Sequence, residues 1–284
     1  MIIFFNFLLC LKIFIALKFT RSMLDKELVS KYKKNGFLVI KDAFPIEKIN
    51  ELLDLVAHVI KIEADRIGLH ETDKEKLLNE VIIKMRKDHP VSSSWIYETV
   101  NNSNIFKKFI YNLGLEEKIS QLINTKSVKS ISTVSPNLRI DFPDDKKNTR
   151  TWHQDGHYFL DNYDGFDSLV LWISLVGANK ENGTVIICPG SHLEKKLIPE
   201  FQSSTHLVSE QHTTSQEIVD KYEKIDLNTK VGDVAVIQMD LIHRSGYNSS
   251  KKVRYTAQIR YTNLEKDDYM PPQNILKYSK FSRS

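Results

Sequence analysis

The sequence predicts a mainly β domain of jelly-roll type, buttressed by helices that come first in the chain. Two observations predict it. The hydrophobic period changes near Lys126, from the three-to-four spacing of amphipathic helices to the alternation of strands. Beyond that point short apolar runs recur between turn residues: Glu181-Asn182-Gly183, Pro189-Gly190-Ser191 and Gly232-Asp233. Helices followed by many short strands pack as a sandwich or jelly roll, with the helices laid against the outside.

Residues 1–22 are an apolar leader rich in Ile, Phe and Leu and interrupted by Asn6, Lys12 and Lys18. A spanning helix needs about 20 apolar residues, and Lys12 falls mid-segment, where a charge costs about 2.5–3.5 kcal/mol on insertion scales. The favoured reading is an upstream extension with the true start at Met23. A weak membrane anchor and a packed or interfacial helix remain as alternatives. Residues 23–284 read as one domain. Its first part, 23–125, is mainly helical. Leu24, Leu28 and Tyr32 lie at helical spacing before Gly36. Phe37-Leu38-Val39-Ile40 is a short strand. Pro45 opens a helix carrying Ile49, Leu52, Val56 and Ile60 on one side. Further helices are expected around Leu77–Met85 and from Asn104 to Asn124.

The core, 126–265, alternates in strand fashion at Val128–Val134 and Leu138–Phe142, then at Leu169–Val176, Thr184–Cys188, Lys224–Val231, Val234–Gln238 and Arg254–Thr262. Leu193 to Tyr222 is polar and reads as a long inserted loop of lid type, with His206 and His212 exposed in it. Residues 266–284 read as an external tail.

A hydrophobic fraction of 41% with 27% charge is ordinary for a globular domain. The net charge of +4 is spread along the chain, which speaks against a nucleic-acid surface. Cys10 and Cys188 have neither metal-ligand spacing nor the makings of a disulfide framework, so a reducing, cytoplasmic setting is expected. Cys188 reads as a small core residue.

The chemistry concentrates in Thr151-Trp152-His153-Gln154-Asp155-Gly156-His157-Tyr158-Phe159, answered downstream by His243 and Arg254. On an extended strand His153 and Asp155 share a face. With His243 they form two imidazoles and one carboxylate with positions left open, the ligand type of non-heme Fe(II) oxygenases. The triplet alone is weak, since nine His and 36 acidic residues in 284 yield about one H-x-[DE] by chance. A second one, His192-Leu193-Glu194, is therefore a control, and His192 reads as a turn residue bonding locally.

In order and spacing the chain resembles the phytanoyl-CoA dioxygenase family of Fe(II)/2-oxoglutarate oxygenases. The matching residues are Asn35-Gly36-Phe37, Trp152-His153-Gln154-Asp155, Asn182-Gly183-Thr184, Cys188-Pro189-Gly190-Ser191-His192, Gly232-Asp233, and Leu241-Ile242-His243-Arg244-Ser245-Gly246 with Asn248 and Arg254. The resemblance spans roughly residues 30–265. It implies a cupin-like double-stranded β-helix, Fe(II) held by His153, Asp155 and His243, and 2-oxoglutarate anchored by Arg254, with O2 as co-reactant and ascorbate supportive in vitro. Because Asp155 fills the position that is vacant in related halogenating enzymes, hydroxylation is expected. Ser245 is placed to add a hydroxyl bond to the cosubstrate. His157, Asn137, Arg139, Trp172 and Gln238 are candidate pocket residues. No CoA-phosphate motif is visible, so the expected partner is a small or medium organic substrate rather than nucleic acid. Membrane contact is expected only if residues 1–19 anchor the chain, and oligomeric state stays open. The competing reading is a non-catalytic jelly roll that binds a sugar or lipid and carries a structural metal.

Overall fold

The computed structural model describes residues 23–160, 165, 167–194, 197, 199–202 and 211–269. The apolar leader, Cys10, His206 and most of the tail lie outside them. Among the described residues no helix is long and apolar enough to cross a membrane.

Helix α1 (Lys26–Asn35) starts at Asp25, whose carboxylate accepts the Leu28 N–H at 2.7 Å, and stops at Gly36, which adopts φ 78°. The chain turns there directly into strand β1 (Phe37–Ile40). Helix α2 (Ile46–Arg66) buries Ile49, Leu52, Val56 and Ile60 completely, each worth about 1.5–3 kcal/mol of apolar burial. A π-helical turn at Leu77–Val81 leads into α3 (Ile82–Asp88). Periodicity did not reveal α4 (Pro90–Asn102), whose buried stripe is only Ser93, Ile96 and Val100. The stretch expected as one helix is two, α5 (Asn104–Tyr111) and α6 (Glu116–Leu122), parted at Gly114 with φ 73°.

The strands are β2 (Ile131–Asp141), β3 (Ser168–Ser174), β4 (Val185–Ile187), β5 (Glu200–Gln202), β6 (Gln211–Thr213), β7 (Ile225–Asp226), β8 (Val234–Gln238), β9 (His243–Ser245) and β10 (Arg254–Asn263). They form an antiparallel sheet β1-β8-β3-β10-β2, a smaller sheet β7-β4-β9 and a hairpin β5-β6. That hairpin, with a short helix at Gln216–Val219, occupies the segment expected to be a long loop. The two strands expected at 128–134 and 138–142 are the single strand β2. It is bulged where Ser135, at φ 40°, and Pro136 face one residue of β10 between the Asn137–Gln258 and Val134–Arg260 pairs.

The large sheet is covered on both faces. Leu169, Leu171, Ile173, Val234 and Val236 join Leu52, Val56 and Ile60 in the helical core. Val170, Trp172, Ala235 and Ile237 face inward and pack with Val185, Ile187 and Leu227 of the small-sheet region. This double covering explains why β3 is buried at every position and reads as a continuous apolar run rather than an alternating one. Two facing antiparallel sheets with helices behind one of them are the expected jelly roll.

Candidate metal centre

His153 and His243 are 90 positions apart in sequence, and the backbone joins them. Each donates its N–H to the other's carbonyl, at 2.9 and 3.0 Å, so residue 153 extends the small sheet beside β9. Asp155 corrects the expectation of an extended strand. Its φ of −62° and ψ of −28° belong to the turn into a short helix, Gly156–Phe159. The carboxylate thus reaches the histidines by a turn, not by alternation. The turn is seated by Gly156, whose N–H bonds Met239 O at 2.9 Å and where a Cβ would lie 2.5 Å from Asp240 Oδ1.

The donor atoms of His153, Asp155 and His243 lie within 4.8 Å of one another, and all three residues are buried. Asp155 Oδ1 is 3.5 Å from His153 Nε2 and 3.7 Å from His243 Nε2. Both Nδ1 atoms are committed to backbone carbonyls two residues upstream, His153 to Thr151 O at 2.7 Å and His243 to Leu241 O at 2.9 Å. A carbonyl accepts only, so each Nδ1 carries the proton and each Nε2 presents a lone pair to the common space. Burial, with His153 close by, pushes the His243 pKa down to about 4, which keeps the ring neutral as a ligand must be. Burial favours protonation of Asp155, but Arg260 and the two histidines outweigh it and hold the carboxyl well below the usual carboxylate range. Two inward lone pairs and an ionised carboxylate, buried together, fit a divalent cation.

Arg260, which sequence reasoning missed, donates Nε–H to Asp155 Oδ2 at 2.9 Å, leaving Oδ1 turned toward the histidines. Its terminal nitrogens bond Asn137 Oδ1 at 3.1 Å and Gln258 Oε1 at 3.0 Å, and its guanidinium lies 3.6 Å from the centre of the Phe159 ring. The signal was present in the sequence: on a strand, Arg254, Thr256, Gln258 and Arg260 share one face. The same alternation places Asp141, also missed, beside Arg139 on β2.

The triad opens on a cavity of about 540 Å³ that also reaches Arg254, Arg139, Ser245, Trp172 and Asn137. Arg254 is only 2% exposed and sits against the Trp172 ring, 5.2 Å from its centre. It donates Nε–H to Asn182 O at 3.1 Å and an Nη1–H to Thr256 Oγ1 at 2.6 Å, and its Nη2 is 2.9 Å from Asp141 Oδ2. Each terminal nitrogen keeps a second N–H. Burial lowers the Arg254 pKa from the usual arginine value, and Asp141 opposes that shift. Arg139 bonds Asp141 Oδ1 at 2.8 Å and the Ser245 hydroxyl at 3.2 Å. Two guanidiniums against one carboxylate leave a net positive charge at this end.

Four expected roles fall elsewhere. Gln238 does not line this cavity. It is 2% exposed, and its amide donates to Gly165 O at 2.9 Å while accepting the Asp240 N–H. His157 turns from the cavity too, its Nε2 lying 3.1 Å from Gln154 Oε1, because the helical turn ends strand alternation at Asp155. His192 bonds Lys33 O at 3.0 Å, far away in sequence rather than locally. His212 is half-buried, not exposed, with its ring stacked on Tyr158 at 4.8 Å. Cys188 is fully buried, as expected.

A family model described as phytanoyl-CoA dioxygenase (PhyH) matches residues 32–256. The human peroxisomal phytanoyl-CoA dioxygenase is 23% identical over 242 residues, which covers 82% of this chain and 67% of that protein. A probable phytanoyl-CoA dioxygenase of Caenorhabditis elegans is 24% identical over 250 residues, covering 85% and 76%. Among solved structures, EctD of S. alaskensis with 2-oxoglutarate and 5-hydroxyectoine superposes with a TM-score of 0.59 at 15% identity, covering 87% and 82% of the two chains. The epimerase SnoN from nogalamycin biosynthesis, in complex with Fe3+, alpha-ketoglutarate and nogalamycin RO, gives 0.56 at 15% identity, covering 84% and 83%. The double-stranded β-helix of such oxygenases is the fold seen here. With the matched region running from α1 into β10 and enclosing the whole triad, the chain belongs to the phytanoyl-CoA dioxygenase family of Fe/2-oxoglutarate oxygenases.

Proposed function

We propose that the protein is an Fe(II)- and 2-oxoglutarate-dependent dioxygenase that hydroxylates a small or medium organic substrate in the cytoplasm. The observation that carries this reading is one cavity with two poles: the His153/Asp155/His243 donors at one and the Arg254/Arg139 cations at the other. Iron held by the three donors would supply the oxidative chemistry, in which 2-oxoglutarate and O2 become succinate and CO2, with ascorbate supportive in vitro.

The remaining work belongs to the chain. Arg254, fixed by Asn182, Thr256 and Trp172, offers a preformed cation for the far carboxylate of a keto-diacid, and a buried carboxylate without such a partner is costly. Ser245 acts through Arg139, accepting its N–H, rather than as an isolated hydroxyl. Trp172, Val170 and Ile237 provide apolar walls that exclude water around these charges. Asp155 occupies the third ligand position, so halide has no vacancy there and oxygen transfer is favoured over halogenation. Solved structures of this fold include an epimerase and a carbocyclase. The outcome therefore depends on which substrate hydrogen faces the metal, and a hydroxylated product is the sharper claim to test.

A purely structural metal would be coordinatively closed. Three protein donors facing an open cavity argue against the sugar- or lipid-binding alternative. The test is anaerobic addition of Fe(II) and 2-oxoglutarate to the full chain, followed by O2. A weak visible charge-transfer band and succinate release support the proposal, and Asp155→Ala should abolish both. Wild-type protein that binds neither iron nor 2-oxoglutarate would end it.

A further inference from the structure

We propose that the substrate of this site is a compact polar anion and that Arg150 is the residue that selects its charged group. The inference rests on the oxygenase reading and adds the substrate class to it.

Four arginines border the cavity: Arg139, Arg150, Arg254 and Arg260. Three are already matched, Arg139 and Arg254 sharing Asp141, and Arg260 holding Asp155. Arg150 is different. It is half-buried at the cavity wall with its guanidinium 5.6 Å from the centre of the Tyr158 ring, and it pairs with no carboxylate among the described residues. Its place is set by its own backbone, because Arg150 O accepts the N–H of Ser245, two residues past the ligand His243. A divalent metal and a dianionic cosubstrate cancel each other. Among the described residues, four guanidiniums against two enclosed carboxylates then leave the loaded cavity positive, and Glu98 at the rim is exposed to water and offsets this weakly. An anionic substrate removes that excess; a neutral or cationic one leaves it.

The lining also limits size and polarity. Beyond the metal the walls carry Asn101, Ser135, Asn137 and Gln258, amides and a hydroxyl suited to hydrogen bonding. A space of about 540 Å³ must hold cosubstrate and substrate together, and among the described residues its lining is more polar than apolar. A short hydroxy acid or a small phosphate ester matches these walls.

The experiment uses the full chain loaded with Co(II), which is inert to turnover, and 2-oxoglutarate. Equilibrium binding is measured for short hydroxy acids, their primary amides, and alkyl phosphate monoesters of matched length. Anions should bind about 10- to 100-fold more tightly than the amides, the usual gain from one charge-assisted contact. Carboxylate against phosphate identifies the anionic group. Arg150→Gln should bring acid and amide within about twofold of each other, Arg150→Lys should keep part of the preference, and the 2-oxoglutarate affinity of either variant should move by less than about threefold. Circular dichroism shows that each variant is folded. Amides binding as well as acids, no anion binding at all, or a preference that survives Arg150→Gln overturns the inference while leaving the oxygenase reading intact. Failure to take up Co(II) and 2-oxoglutarate sinks that reading and this inference with it.

Discussion

Replacing Arg260 by methionine should unmask the cost of burying Asp155. The side chains of Arg260 and Asp155 are only 5% and 6% exposed and meet at 2.9 Å. Removing one partner of such a buried pair costs about 3–5 kcal/mol, since the other charge is left uncompensated. The pH dependence gives the effect its signature. In the wild-type, metal-free protein the Asp155 carboxyl lies far below its unfolded value of about 3.9, so its contribution is complete above that pH and is lost only in strong acid. Without Arg260 the largest influence opposing burial is gone, and the expected outcome is a carboxyl that titrates above its unfolded value. The variant's deficit should then be largest near pH 7.5 and shrink by about 1–2 kcal/mol toward pH 5, as Asp155 takes up a proton. Urea unfolding of both proteins with a chelator at the two pH values reads the difference directly. A deficit under about 1 kcal/mol, or one equal at both pH values, would refute the assignment of Arg260 as the counter-charge of the carboxylate.

Arg254→Ala should raise the KM for 2-oxoglutarate at least about tenfold, measured by succinate release, with metal uptake by atomic absorption retained. Gly36→Ala should lower thermal stability by about 1–3 kcal/mol, because φ is 78° and the added Cβ would stand 2.5 Å from His192 Nδ1. Asp233→Asn should destabilise by about 1–2 kcal/mol at neutral pH, since Asp233 accepts from Lys41 Nζ at 2.8 Å and from the backbone N–H of Asp42 and Lys230. Burial opposes these bonds but does not outweigh them, and the folded carboxyl lies below its usual value. Its contribution is therefore present above about pH 4 and lost as the pH falls further, so the difference between variant and wild type should close in acid.

Where periodicity was strong the sequence was legible. Val234–Gln238 and Phe37–Ile40 are the observed β8 and β1, and the helix after Pro45 is α2. It failed where local signals were mixed. Pro136 divides the pattern of β2 but sits at a bulge on an edge strand, where its missing N–H does no harm, so one strand looked like two. The narrow buried stripe of α4 gave no amphipathic pattern to detect. In the site, the spacing of His153 and Asp155 placed them near one another by the wrong geometry. Gln238 was assigned to the cavity from its position on a strand, but its amide faces the Gly165 turn on the opposite side.

Linear order determined which side chains this protein has for holding a cation and a keto-diacid: two imidazoles, one carboxylate and a strand arginine, with the family pattern around them. Folding decided which charges answer which. Asp155 belongs to Arg260 and Asp141 to two arginines at once, while Arg150 is left with no acidic partner among the described residues. Two of those pairings, Arg260 with Asp155 and Arg254 with Asp141, join residues more than a hundred positions apart, and their strength comes from burial between two sheets. A one-dimensional pattern carries spacing along a strand or helix; it carries neither the register between distant strands nor the loss of water that makes one buried charge select another.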